Sequence, residues 1–190
     1  LEWNFPEITS NQSYDVVIVG AGYSGLWTAH HLLNLNPSLS IAILDARQPG
    51  FGASGRNGGW CSAFSPMSLE AIAAHSDRQG AIALQNALVE SVDEIGFHIE
   101  RFGIDCGWHK GGTLSFASSQ LQLQRIEDNI AMARNFGFDE SFMHYVTPDQ
   151  AEARVRIRGS HGASYSPHCA ALHPAQLVDG LVRQLLSRNV

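Results

Sequence analysis

The sequence predicts an α/β fold built around a parallel βαβ unit, and three observations carry the prediction. An unbroken apolar, β-branched run, Val16-Val17-Ile18-Val19, leads directly into Gly20-Ala21-Gly22-Tyr23-Ser24-Gly25. A helical pattern opens at Leu26. A second apolar run, Ile41 to Leu44, then ends in Asp45, twenty residues after the last glycine. A bare G-x-G-x-x-G is a weak signal. Set between a strand and a helix, and followed at this distance by an acid, it is the fingerprint of a dinucleotide-binding unit.

Each position has a mechanical reason. The Val16–Val19 run suits a parallel strand buried on both faces. Gly20 permits the tight strand-to-helix turn, Gly22 lets a pyrophosphate approach the backbone, and Gly25 lets the helix pack close to the strand. Free N–H groups at the helix start, with the positive end of its dipole, then face the phosphates. Asp45 is placed to accept hydrogen bonds from ribose hydroxyls, and its charge disfavours a 2′-phosphate.

The segment Gly50 to Gly59 holds five glycines in ten positions. Such a stretch cannot hold a packed helix or strand cheaply. It suits a backbone lying against a ligand, with Ser54, Arg56 and Asn57 as polar contacts. Glycine content alone favours a flexible surface loop.

Further along, Ser65-Pro66 predicts a helix N-cap with proline in the first turn. A long helical region follows to about Phe102, with a break expected at Gly80. Leu84, Leu88, Val92, Ile95, Ile99 and Phe102 form one apolar face, read as core. Thr113 to Phe116 reads as a strand. Ser118 or Ser119 caps a helix with Leu123, Ile126, Ile130 and Ala133 on one face, ending near Gly137. Thr147-Pro148-Asp149-Gln150 is a capping box, and Gly162 to Ala170 is a candidate strand. His173-Pro174 opens a last helix, with Leu177, Leu181 and Leu185 spaced by four and an asparagine, Asn189, expected at its C-cap. Residues 1–13 read as an extended arm with Trp3 and Phe5 as anchors.

Composition narrows the function. A net charge of −6 without a basic stripe leaves nucleic-acid binding no electrostatic footprint. No apolar stretch is long enough for a membrane span. Three widely spaced cysteines, Cys61, Cys106 and Cys169, argue against a disulfide framework and point to a reducing, cytoplasmic setting. His30 and His31 are adjacent on a helix, and His168, Cys169 and His173 lack a zinc spacing, so no metal site is expected. No acid–base pair and no Ser/His/Asp or Cys/His set stands out, so no catalytic residue is named. Because one βαβ unit makes too narrow a sheet to be shielded, the chain is expected to be incomplete.

The fingerprint, Asp45 and the run Gly52-Ala53-Ser54-Gly55-Arg56-Asn57-Gly58-Gly59 resemble the N-terminal half of FAD-dependent amine and amino-acid oxidoreductases. These are of the D-amino-acid oxidase, glycine oxidase and sarcosine oxidase type, with γ-glutamylputrescine oxidase-like, deaminating proteins the nearest subgroup. Supportive matches extend through Ile104-Asp105-Cys106, Lys110 to Leu114 and His173 to Leu177. The resemblance implies FAD as cofactor, held by Gly20, Gly22, Tyr23, Ser24, Gly25, Asp45, Ala46 and Arg47. It also implies that Ser54, Gly55, Arg56, Asn57, Gly58 and Gly59 line the phosphates and the isoalloxazine ring. Arg56 and Lys110 become candidates for binding an anionic substrate group or the cofactor phosphates. Cys61 lies near the ring segment, but a buried free thiol is the better reading than a flavin attachment point.

The implied architecture is a Rossmann-like FAD-binding βαβ unit plus the beginning of a mixed α+β substrate domain. After the arm, residues 14–106 would form the N-terminal part of the FAD-binding domain and 107–170 the start of the substrate domain. Residues 171–190 would return to the FAD domain as a helix. The missing C-terminal half would lie in the same or an adjacent chain. The implied reaction oxidises a C–N bond of a small amine or amino acid. A hydride equivalent passes to flavin N5, the imine is hydrolysed, and oxygen or another acceptor takes the electrons. The alternatives are a NAD-binding dehydrogenase domain and a non-catalytic flavoprotein fragment.

Overall fold

The structure, a computed structural model, describes residues 3–190; the first two residues of the expected arm lie outside the described residues. The elements in chain order are β1 (Val16–Val19), α1 (Tyr23–Leu35), β2 (Ile41–Leu44), a 3₁₀ turn (Ala53–Gly55) and β3 (Trp60–Ser62). Then come α2 (Leu69–His75), α3 (Arg78–Phe102), β4 (Thr113–Phe116), α4 (Gln120–Asn135) and β5 (His144–Val146). The chain finishes with α5 (Pro148–Glu152), β6 (Ala163–Ser166), β7 (Cys169–Ala171) and α6 (Pro174–Leu186).

Two compact units emerge. One holds the chain up to Trp60 with Phe97–Trp108 and Leu172–Val190; the other holds Cys61–Gly96 and His109–Ala171. This grouping differs from the division drawn from the sequence, which kept 61–96 with the dinucleotide unit. The long α3 is the reason. A single 25-residue helix contributes its first part to one unit and its end to the other.

In the first unit β1 and β2 pair in parallel, Val16 opposite Ile41 through Val19 opposite Leu44. Ile41 is buried, as are Leu26, Ala29 and Leu33 of α1. The α6 stripe of Leu177, Leu181 and Leu185, joined by Val178 and Val182, is buried as its spacing predicts. The expectation that β1 is buried on both faces needs correction: Val17 is 51% exposed and Val19 86% exposed. Burial alternates along β1, and no layer covers that face among the described residues. α6 begins as expected at Pro174, with Nδ1 of His173 accepting the Gln176 N–H at 3.4 Å. It ends two residues early: Ser187 is the C-cap, and Asn189 takes the left-handed conformation (φ 63°) beyond it.

In the second unit β4, β6 and β5 form an antiparallel sheet in that order, with β6 central. The candidate strand at 162–170 is in fact two, because β6 joins this sheet while β7 pairs with β3. Ala133 of α4 packs with Phe142 and Met143, and Val146, Ala151 and Ala163 form a second cluster. Arg134 holds the loop after α4 by donating to the carbonyls of Phe138 (2.9 Å) and Met143 (2.8 Å).

Helix starts in this unit follow local rules, with two corrections. Thr147 and Gln150 form the predicted capping box, and Ser119 rather than Ser118 caps α4. Ser65-Pro66 does not open α2; Ser65 Oγ closes a local turn onto the Met67 N–H, and Ser68 is the cap. The helical break falls at Ser76-Asp77, not at Gly80. Asp77 Oδ1 accepts the Gly80 N–H at 2.6 Å, so Gly80 lies in the first turn of α3. The apolar stripe on α3 holds from Leu88 to Phe102 and fails at Leu84. Val92 and Ile99 are buried and Leu88, Ile95 and Phe102 half-buried, with Ala81, Gln85, Gly96 and His98 also buried, while Leu84 is 44% exposed. Gln85 tolerates burial because its amide donates to the Ala63 carbonyl at 2.8 Å.

Candidate functional site

The glycine-rich elements of the first unit meet at the start of α1. Gly20 carries φ 107° and donates its N–H to the Leu44 carbonyl at 2.7 Å, so the chain leaves β1 in a conformation that disfavours side chains. A Cβ on Gly25 would collide with the Gly20 carbonyl oxygen. A Cβ on Gly22 would lie 2.9 Å from Ser54 Oγ. Gly22 is the N-cap of α1 and offers no side-chain cap. The first intrahelical bond runs from the Leu26 N–H to the Gly22 carbonyl, so Tyr23, Ser24 and Gly25 have no acceptor within the helix. Ser54 Oγ, thirty-one residues away, takes the Tyr23 N–H at 2.9 Å.

Asp45 sits at the end of β2 and ties two turns together. Its Oδ2 accepts the Ala21 N–H (2.8 Å), and its Oδ1 accepts the Arg47 N–H (2.9 Å). The carboxylate is exposed, and each oxygen has a further lone pair to offer. Ala46 follows it on the exposed turn. The Gly50 N–H donates to the Ala21 carbonyl at 2.9 Å, bringing the second glycine-rich segment against the first.

That second segment is braced by its own hydrogen bonds. Asn57 spends its amide locally, donating to the carbonyls of Ala53 (3.1 Å) and Ser54 (3.0 Å) and accepting the Gly59 N–H (2.8 Å). Gly58 has open space around its Cα, and Gly59 lies against the Leu172 carbonyl. Phe51 is flanked by two guanidiniums, Arg56 at 4.2 Å and Arg47 at 5.3 Å from the ring centre. A hollow of about 440 Å³ lies beside them, lined by Trp3, Phe51, Gly55, Arg56, His173 and Val178 among others.

Sequence reasoning named fourteen residues here, and they gather around these two turns. It missed Phe51, whose stacking has no motif. It also missed that the Tyr23 hydroxyl donates to the Pro174 carbonyl at 3.0 Å, across 151 positions. Two further residues singled out in the sequence are engaged otherwise. Lys110, in the second unit, forms an ion pair with Asp93. Cys61 is half buried, and burial, with a smaller contribution from Cys169, pushes its thiol up to about 11. A thiol so placed stays protonated at neutral pH and is a poor nucleophile. Among the described residues no group of three or more His, Cys, Asp or Glu is arranged to hold a metal ion, and no helix is long and apolar enough to cross a membrane.

A parallel βαβ unit whose helix begins on bare backbone donors marks an α/β protein of the dinucleotide-binding class. Residues 15–190 match the family model described as "DAO: FAD dependent oxidoreductase", and the chain belongs to that family. FAD, not a nicotinamide nucleotide, is the cofactor of this family. The chain is 28% identical to the probable oxidoreductase OrdL of Haemophilus influenzae, aligning over 100% of itself and 43% of that protein. It is 33% identical to the gamma-glutamylputrescine oxidoreductase of Escherichia coli over 65% of itself and 28% of that enzyme. Among solved structures it superposes on glycine oxidase from Geobacillus kaustophilus with a TM-score of 0.64 at 26% identity, covering 92% of this chain and 45% of that one. L-amino acid deaminase from Proteus myxofaciens gives a TM-score of 0.75 at 17% identity, covering 99% and 39%, a likeness of fold. The chain therefore spans less than half the length of these relatives.

Proposed function

We propose that this chain is the cofactor-binding portion of an FAD-dependent oxidoreductase that oxidises a C–N bond of a small amine or amino acid. The observation that carries the cofactor reading is the start of α1. Its first N–H groups have no intrahelical acceptors, and the space before them is kept open by glycines where a Cβ would intrude. That donor set suits an anionic pyrophosphate. Gly22, Ser24 and Gly25 would hold it by backbone N–H groups and the helix dipole, with Gly20 shaping the turn and Tyr23, tied to Ser54, fixing the first turn of α1. Asp45, with Ala46 and Arg47 on the same turn, would take the ribose hydroxyls on its remaining lone pairs.

Ser54 to Gly59 would line the rest of the cofactor. Ser54 caps α1 through its hydroxyl, Gly55 and Arg56 continue the turn, and Asn57 braces the backbone that carries Gly58 and Gly59. When bound, FAD supplies the two-electron acceptor for a carbon next to a neutral amine. The chain's own residues fix its position and exclude water along the pyrophosphate. The amine reading draws on the glycine oxidase and gamma-glutamylputrescine oxidoreductase likenesses. The rest of the protein would supply the substrate-facing groups.

Two measurements test this reading. The purified full-length protein should show a flavin absorbance spectrum. Under anaerobic mixing, at least one of a panel of amino acids, sarcosine and polyamine derivatives should bleach it. Bleaching by NADH and by none of the amines would overturn the amine reading. An uncoloured protein that takes up no FAD would overturn the cofactor reading as well.

A further inference from the structure

The first unit contains a buried polar cluster that the cofactor reading does not use. His30 of α1 is 1% exposed and His98 of α3 is 4% exposed, and their rings lie 4.6 Å apart. Phe102 closes one side of His30, at 5.2 Å, and Trp27 another, at 5.6 Å. The groups facing His30 that can carry charge are His98 from α3, His31 from its own helix and Arg188 from the segment after α6. All are positive when charged.

The protonation state of His30 follows from a chain of hydrogen bonds. Arg188 Nη1 is a donor and lies 2.9 Å from Asn34 Oδ1, so that oxygen must face Arg188. The Asn34 amide nitrogen therefore faces His30, 2.8 Å from Nε2, and donates to it. Nε2 must present a lone pair. His30 is thus held neutral with its proton on Nδ1, and a second proton on Nε2 would meet an N–H donor head on. Nδ1 of His30 and Oε1 of Gln184 on α6 are both buried, and the Gln184 side chain is the hydrogen-bonding neighbour left for that ring nitrogen. The cluster keeps a donor and an acceptor side by side in a nearly dry place. Burial first, then the neighbouring His98, pushes His30 down to about 4, with Gln184 opposing and His31 and Arg188 adding to the fall.

The same helix carries the proposed phosphate cradle at its other end. α1 is tied to the start of α6 by the Tyr23 hydroxyl on the Pro174 carbonyl, and to the segment after α6 by Arg188 on Asn34. We propose that His30 is a proton-sensitive brace of α1, so that acidification loosens the α1–α6 pairing and releases the dinucleotide. The release limb rests on the cofactor reading above; the brace itself does not.

The test compares the full-length wild type with His30→Gln, which keeps an acceptor toward Asn34 but cannot titrate, and with Asn34→Asp, which puts a carboxylate against His30. Long-range ¹⁵N NMR should show wild-type His30 as the neutral Nδ1–H tautomer, titrating near pH 4. In Asn34→Asp the titration should move above pH 6.5, the ordinary histidine value. Thermal stability of the wild type should fall between pH 6.5 and pH 4, and His30→Gln should lose that fall. FAD release, followed by flavin fluorescence, should be about tenfold faster at pH 4 than at pH 6.5 in the wild type and change less than about twofold in His30→Gln. A wild-type His30 that titrates near 6.5, or stability profiles that superimpose for wild type and His30→Gln, would overturn the brace. Stability profiles that differ while FAD release does not would overturn the release limb. A protein that binds no FAD at any pH would refute the cofactor reading, while the NMR and stability arms still decide the brace.

Discussion

The start of α1 and the starts of the second unit's helices obey opposite rules. α2, α4 and α5 are capped by their own residues Ser68, Ser119 and Thr147, and Asp77 accepts an N–H in the first turn of α3. Each cap satisfies orphan donors within three residues, and each is worth about 1 kcal/mol. α1 has a glycine at that position and takes a side-chain acceptor, Ser54, from the far side of the turn. The second unit's helix starts are built for stability. The α1 start forgoes a local cap and keeps donors and space available, which is what a ligand site requires.

The largest break in this contrast should come from Gly25→Ala. The new Cβ meets backbone, not a flexible side chain, so relief requires moving α1 away from β1. Stability should drop by about 2–3 kcal/mol by denaturant melt, and FAD affinity should fall about a hundredfold or more by titration. Acid comes next. His30 has its pKa lowered to about 4 in the folded state, against 6.5 unfolded. The unfolded chain therefore binds the extra proton first. Stability from the neutral ring is fully present above pH 6.5 and is lost as pH falls toward 4, on the order of 3 kcal/mol in all. Urea melts across that window check the slope.

Asp45→Ala removes an acceptor from two backbone N–H groups and from the proposed ribose contact. The expected loss of FAD affinity is about ten- to hundredfold, or roughly 1.5–3 kcal/mol. Unchanged affinity by titration would detach Asp45 from the site. Gly22→Ser sharpens the comparison directly, because it gives α1 the local cap the other helices have. Unfolding free energy should stay within about 1 kcal/mol of the wild type, or rise, while FAD binds about tenfold more weakly. Thr147→Ala is the smallest effect: about 1 kcal/mol of stability with FAD affinity untouched, since this cap serves only α5.

What the residues alone determined about this protein is what local chemistry controls. The βαβ unit was legible because an apolar run, a glycine turn and a helical period are written in consecutive positions. The capping box at Thr147 and the start of α6 at His173-Pro174 were legible for the same reason: the partners lie three residues apart. Local signals misled where two candidates compete at short range, as with Ser65 against Ser68, or Gly80 against the Ser76-Asp77 break. Only the tertiary structure decided the rest. It left Leu84 of α3 exposed, grouped 61–96 with 109–171, left Val17 and Val19 exposed, and set His30 between Asn34 and His98. These depend on side chains brought together from distant positions, such as Tyr23 with Pro174, and packing across such separations leaves no periodicity in the sequence to read.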